Sequence, residues 1–357
     1  MKKKISILAI AVASILTVSA CSSPPPAAPA APVAPAANAT TDEPAPQFSP
    51  GEFTLRIATV VSGDHAWVQM AEFMQEELSA RSDGAIEVMI FPGGQLGNDE
   101  ATIDDMRLGT LDIVIGGTQN AAPFVPQFQV LQLPYFFSDR DQFESVLLGD
   151  GPVFAYIQNK YEEYGLGLQL LGLSNGGQRN MKSNMEIRSV EDIQGISMRT
   201  TASATEGLIW STLGTLPISM GFNDIYTAMQ ANMIDAFEVT LAAYTNAALY
   251  EVAPNISLTG HQFTPAHVTA SNISFNRLPA EFQQLLREVS EEASRLGTQI
   301  ANNADDTLVN TLESDHGANI LEVDASGFRA LMEPLYPELT EAVGGEALFQ
   351  IIRDIIG

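Results

Sequence analysis

The sequence predicts an α/β protein built from two similar domains, with a long helix crossing both. Three observations carry this. The globular part opens with strand, helix and strand in alternation, which predicts a mostly parallel sheet with helices on both faces. A pattern Met-x-x-[Gly/Asn]-x-[Leu/Ile]-Asp occurs once in each half, at Met106–Asp112 and at Met229–Asp235. Globular sequence then runs for about 300 residues from near Phe53, more than one compact core usually holds.

The elements follow in order. Leu55 to Val60 is strand-like, and Ser62 or Asp64 can cap a helix whose apolar residues Val68, Ala71, Met74 and Leu78 recur at helical spacing. Gly84 ends that helix and Ile86 to Ile90 forms the second strand. After the loop Phe91-Pro-Gly-Gly-Gln-Leu-Gly97, a second helix covers about Asp99 to Leu108, and Leu111 to Ile115 forms a third strand. In each copy of the repeat, a helix end meets a residue type that tolerates the left-handed conformation, then enters a strand. Those strands end at Gly116-Gly-Thr118 and Phe237-Glu-Val239. Ligands on open α/β sheets bind beyond the carboxyl ends of strands, so both tips are candidate cleft walls. Pro279 opens the long helix, whose apolar residues from Phe282 to Leu296 recur on one face and whose pattern runs to about Leu312. At 1.5 Å per residue it would span roughly 50 Å, enough to cross both domains.

The ends have another character. Lys2, Lys3 and Lys4 precede the short apolar run Ile5–Val18, an export signal too short to span a membrane, so residues 1–20 read as a leader. It ends in Val18-Ser-Ala-Cys21, which resembles a bacterial lipobox, with Cys21 lipidated; otherwise Cys21, the single cysteine, is a stray thiol. The expected address is the outer face of the cytoplasmic membrane or the periplasm, with a lipid anchor. Nine prolines and nine alanines fill Pro24–Pro50, so residues 21–51 read as an extended tether reaching about 80–90 Å.

Composition excludes several classes. Losing the three leader lysines takes the formal charge from −26 to −29, which argues against nucleic acid and anionic membrane as ligands. One cysteine leaves no intrachain disulfide, cysteine metal cluster or catalytic thiol in the folded part. No Gly-x-Ser-x-Gly, His-Glu-x-x-His, Walker loop or Cys-x-x-Cys is present, and Gly165-Leu-Gly167 reads as the start of a strand. His65, His261, His267 and His316 are scattered, so neither a metal nor a cofactor is expected.

What remains is arginine. Beyond the leader only Lys160 and Lys182 accompany twelve arginines. A guanidinium matches a carboxylate with a rigid fork of donors and does not lose its charge. Arg199 follows Ser189-Val-Glu-Asp192, a capping box on one short turn stopped by Gly195, and begins a strand that would set it at a cleft or sheet edge. Arg179 stands upstream in Gly176-Gly-Gln-Arg179. Either arginine could instead serve a surface ion pair.

The run from Gly176 to Val252 resembles the substrate-binding proteins of tripartite ATP-independent periplasmic (TRAP) transporters, the family named after its C4-dicarboxylate-binding members. The resemblance rests on Gly177-Gln-Arg179, the segment Val190–Arg199, Leu213-Gly-Thr-Leu-Pro-Ile-Ser-Met220 and Phe222-Asn-Asp-Ile-Tyr226. Phe91–Gly97, Leu111-Asp112, Leu133-Pro-Tyr-Phe136 and Tyr250-Glu-Val252 extend it from about residue 54 to the C-terminus. It implies a non-enzymatic, two-domain periplasmic-binding-protein fold that closes on an organic acid in a cleft between lobes and delivers it to integral membrane subunits. The implied lobes are 52–173 with about 258–278, and 174–257 with about 279–357, the 279–312 helix spanning both.

It further implies that Arg199 holds the ligand carboxylate, that Arg179 contributes, and that Phe222 and the segment after the second repeat line the pocket. That segment departs from the family's Asp-Gly-x-Glu-Asn-Pro: here it reads Asp235-Ala-Phe-Glu238-Val239-Thr240, so Val239 replaces a polar contact. Glu238 either accepts from ligand hydroxyls or pairs an arginine. Ser62, His65 and Trp67 would form the other wall, Trp67 being equally suited to core packing. Thr118 and Asn120 are candidate hydroxyl contacts, and with Glu238 they favour a hydroxylated organic acid, either a sugar acid or a dicarboxylate. The alternatives are an ABC-type or sensor-linked binding protein and, with no visible base–nucleophile grouping, a secreted hydrolase or lyase.

Overall fold

A computed structural model describes residues 48–357; the leader, Cys21 and most of the tether lie outside the described residues. In the described chain, β1 (Phe53–Ala58), α1 (Ala66–Arg81), β2 (Ile86–Phe91), α2 (Asp99–Leu108) and β3 (Ile113–Gly117) reproduce the expected opening. Then come α3 (Thr118–Ala121), α4 (Arg140–Leu147), α5 (Pro152–Glu163) and the long strand β4 (Leu168–Ser183). The second half contributes β5 (Ser197–Thr200), α6 (Ala204–Thr212), β6 (Leu216–Ser219), α7 (Ile225–Gln230), β7 (Ala236–Thr240) and α8 (Leu241–Asn246). Another long strand, β8 (Asn255–Ser271), leads through α9 (Asn272–Phe275) into α10 (Ala280–His316), then β9 (Asn319–Leu321), α11 (Ala325–Met332), α12 (Tyr336–Ala342) and α13 (Glu346–Ile356).

The strands form one sheet in the order β2-β1-β3-β8-β4-β7-β5-β6, with β9 beside β8. Its flanks are parallel, β2-β1-β3 on one side and β7-β5-β6 on the other. Its centre is antiparallel: β8 opposes β3, β4 opposes β8, and β7 opposes β4. The sheet is therefore mixed, not mostly parallel. Local strand–helix alternation reveals the parallel flanks but not two long strands that return through the middle. The register of β4 on β8 slips at Asn175/Gln178 and Arg179/Met181, so β4 bulges where it passes from one flank to the other.

The repeat is structural. Gly109 closes α2 at φ 74°, and Asn232 stands after α7 at φ 54°, both left-handed. The aspartate that ends each copy pins the neighbouring strand: Asp112 Oδ2 accepts from Arg56 N at 2.8 Å, and Asp235 Oδ2 accepts from Ser197 N at 2.8 Å. Each flank is thus a copy of one strand–helix–strand device. The first helix differs from expectation at its cap. His65, not Ser62 or Asp64, holds the N-cap, its Nδ1 accepting from Trp67 N at 3.2 Å, because the turn around Gly63 leaves Ser62 and Asp64 exposed.

Helix α10 joins the halves. Phe282, Leu285, Leu286, Val289 and Ala293 pack into the core around β1 and α1, while Leu312, with Leu308 and Val309, packs into the core around α7 and α8. Its 37 residues cover roughly 55 Å, about the length of the 16-residue β4 beneath it. The tail packs against helices of the first half: Phe349 stacks on Phe136 at 4.9 Å, and Leu348 and Ile352 join the core that holds Phe143 and Val153. The apolar stripe of α13 finds its cover there. Among the described residues no helix is long and apolar enough to cross a membrane.

Candidate functional site

The carboxyl ends of the parallel strands in both flanks converge on one cleft. From the β1 end come Val60, Val61, His65 and Trp67; from the β3 end, Gln119 and Asn120; from the other flank, Arg199, Thr201, Phe222, Val239, Thr240 and Ala243. The long strands supply Gly176, Arg179 and Thr264. This is where an open α/β sheet presents a ligand site.

Arg199 is held on β5 between β7 and β6 and is 2 % exposed. Its Nε and Nη2 both donate to the Met220 carbonyl, at 3.1 and 2.9 Å. That contact uses the side edge of the guanidinium and fixes its plane, leaving the Nη1 end. It makes no ion pair among the described residues. Burial lowers its pKa, Arg179 adds to that, and Glu238, Glu206 and Asp99 act against it.

Arg179 is arranged in another way. It too lines the cleft, but its Nε and Nη2 grip the Glu238 carboxylate, and Nη2 also donates to the Glu238 carbonyl at 2.8 Å. Burial opposes the charge of Arg179, yet Glu238 outweighs it and the pKa rises. Burial would raise Glu238, but Arg179 and His261 hold it well below the ordinary carboxylate range. His261 Nε2 lies 3.5 Å from Glu238 Oε2. Glu238 is fully buried and outside the cleft lining, so of its two expected roles it takes the arginine partnership.

Two further expected contacts lie elsewhere. Thr118 is fully buried and accepts from Gln132 Nε2 at 2.9 Å, because it opens α3 under the short helical segment of Gln132. Ser62 is exposed beside Gly93, outside the lining. Asn120, His65, Trp67, Phe222 and Val239 do reach the cleft. Asn120 donates from Nδ2 to Asp99 Oδ2 at 2.8 Å, which leaves its oxygen as the free half of the amide. Burial pushes Asp99 up to about 7, against the pull of Arg199. Burial holds His65 near 4, so the ring is neutral; with Nδ1 accepting, its proton sits on Nε2.

Sequence reasoning missed Val60, Val61, Gln119, Thr201, Gly176, Ala243 and Thr264. The first four immediately follow strand ends, a signal that was available. Thr264 had none: only its register on the long strand β8, opposite the β4 bulge, brings it to the cleft.

The family model for bacterial extracellular solute-binding proteins, family 7, matches residues 57–342. A TRAP periplasmic solute-binding protein from Bradyrhizobium sp. BTAi1, in complex with α/β-D-galacturonate, is 26 % identical with a TM-score of 0.79, covering 84 % of this chain and 99 % of that one. The corresponding protein from Roseobacter denitrificans OCh 114, with bound L-galactonate, is 26 % identical with a TM-score of 0.78, covering 87 % and 100 %. The sialic acid-binding periplasmic protein SiaP of Vibrio cholerae is 26 % identical over 295 residues, 82 % of this chain and 89 % of that protein. With the cleft, the duplicated flanks and the spanning helix in place, the chain belongs to family 7 of the bacterial extracellular solute-binding proteins, the receptors of TRAP transporters.

Proposed function

We propose that this receptor captures a small organic monoanion, with Arg199 as the group that takes its carboxylate, and passes it to the integral membrane subunits of a TRAP transporter. The observation that carries the reading is a difference between two arginines. Arg179 is neutralised by Glu238, whereas Arg199 is buried with a carbonyl and no carboxylate against it. A buried, unpaired cation is costly, and a bound anion relieves that cost. One guanidinium without a carboxylate partner among the described residues matches one ligand carboxylate, which favours a monocarboxylate over a dicarboxylate. Relatives in complex with galacturonate and L-galactonate accord with this.

Closure of the two flanks about the long strands is the mechanism, with lobes dividing at 173/174 and near 258 and 279, and the tail beyond 335 returned to the first lobe. The bulges of β4 on either side of Arg179 support a hinge there. Lipidation at Cys21 and the reach of the tether would keep the receptor at the membrane, as the leader and the Pro/Ala-rich run support.

The test is Arg199→Ala, titrated calorimetrically against an organic acid found by thermal shift. A ligand at 100 times its Kd stabilises by about 2.7 kcal/mol, which makes the screen practical. Hydrogen bonds to a charged group contribute about 1.5–3 kcal/mol each, so affinity should fall by about two orders of magnitude. Unchanged affinity would sink the assignment.

A further inference from the structure

We propose that the ligand is a short monocarboxylate poor in hydroxyl groups, and that Trp67 selects it by donating its indole N–H to an acceptor oxygen on the ligand's body. This rests on the reading of Arg199 as the carboxylate's partner. Trp67 is a wall residue of the cleft, 6 % exposed, and its Nε1 is buried without a hydrogen-bond partner among the described residues. Thr264, which also lines the cleft and is 3 % exposed, has its Oγ1 buried and unpartnered too among the described residues. Two such groups at one cleft are prepared for a ligand, because an unpaired buried donor or acceptor costs about as much as a lost hydrogen bond.

The chemistry of the remaining lining decides which ligand. Its charged and ring groups only donate: Arg199 and Arg179 carry no acceptor, the indole N–H is a donor alone, and neutral His65 has its accepting nitrogen occupied by Trp67 N. Among the described residues, no carboxylate stands in the lining to accept from ligand hydroxyls. Both oxygens of Glu238 face Arg179, and Asp99 Oδ2 takes the Asn120 amide. Among the lining side chains, only the amide oxygens of Asn120 and Gln119 and the threonine hydroxyls remain as acceptors. Val60, Val61, Phe222, Val239 and Ala243 supply the rest of the surface. A hexuronate, however, brings several hydroxyl protons, each needing an acceptor, and an unmatched one costs about 1–3 kcal/mol. An aliphatic acid with one ketone or one hydroxyl oxygen fits the donors and the apolar wall together.

The experiment compares α-ketoisovalerate, α-hydroxyisovalerate, isovalerate, glucuronate and galacturonate by calorimetry on the wild-type receptor, Trp67→Phe, Thr264→Val and Arg199→Ala. The keto or hydroxy acid should bind the wild type at least about tenfold more tightly than either uronate. Trp67→Phe, which keeps the ring and removes the N–H, should cost the oxygenated acid about tenfold and leave isovalerate unchanged. Equal or tighter uronate binding, or an equal loss for isovalerate in Trp67→Phe, overturns the inference; so does failure of all three short acids to bind. Thr264→Val, at the cleft's other unpartnered polar group, should cost the oxygenated acid affinity in the same way and gives a second reading should Trp67→Phe melt early. Uronate binding that is lost in Arg199→Ala would leave carboxylate capture standing while this inference falls. Acid binding undiminished in Arg199→Ala would remove both.

Discussion

Arg179 and Glu238 illustrate how one residue's surroundings decide its task. Both are buried, and each neutralises the other through two guanidinium nitrogens. Glu238→Gln would leave a buried guanidinium with a neutral partner. Removing one member of a buried ion pair typically costs about 3–5 kcal/mol, and a loss in that range is expected in urea unfolding. Arg179→Met combined with Glu238→Met should cost less than Glu238→Gln alone; a larger loss in the double variant would show that the pair itself stabilises the fold. Protonation also acts at this scale. Burial raises Asp99 to about 7 and lowers Lys182 to about 7, with Arg199 and Glu238 respectively opposing those shifts. Glu206 is raised by burial as well, and Asp305 reaches about 6 for the same cause. As pH falls from about 8 to about 6, Asp99 and Asp305 lose negative charge and Lys182 gains positive charge, while the ligand carboxylate stays ionised. Each change favours a bound anion, so affinity should rise. Calorimetry at both pH values on the wild type and Asp99→Asn checks this: the rise should shrink in the variant, and no rise in the wild type would refute it.

At the scale of elements, the joint between helix and strand is the unit the chain uses twice. Asp112 is the more deeply engaged copy, binding Arg56 N and Nε at 2.8 Å and Arg277 Nη2 at 3.1 Å while its side chain is 1 % exposed. Asp235 binds Ser197 N and is only partly buried. Asp112→Ala should therefore destabilise by about 2–3 kcal/mol and Asp235→Ala by about 1–2 kcal/mol, in that order, by urea denaturation. The same joint shows what a sequence discloses. Helix α2 was readable to its ends, since a left-handed glycine and a turn of acids mark a helix locally. The long strands β4 and β8 were not, because their pairing is a long-range choice. Their mixture of glycine, threonine and asparagine carries no clean alternation. The site divides along the same line. Arg199 and Arg179 stand out as rare cations, and Asn120 and Trp67 follow strand ends. Thr264 depends on register alone, and the internal use of Thr118 and Glu238 depends on partners far away in sequence.

For the whole molecule, the two flanks are tied by three long elements, β4, β8 and α10, and they meet again at the rim of the cleft. A Cβ added at Gly63 would lie 3.5 Å from Asn246 Oδ1, and Gly94, left-handed at φ 71°, fits against the Asn223 amide. Around this joint the chain carries a formal charge of −26, yet the cleft centres on a cation, so the attraction for an anion is local and the surrounding field repels it. Beyond roughly 8–10 Å that repulsion is largely screened at physiological salt, which makes capture sensitive to ionic strength at long range only. Rim contacts and a buried cation together imply that closing and binding are one event, since the anion makes its contacts only when both walls are present. Spin labels at Ser62→Cys and Asn246→Cys, in a body with no other cysteine, should report a broad distance distribution in the free receptor that narrows to the short distance with ligand. Arg199→Ala should retain the broad distribution at the same ligand concentration. If the free wild-type receptor already shows only the short distance and ligand changes nothing, the site is preformed and hinge closure is not its mechanism.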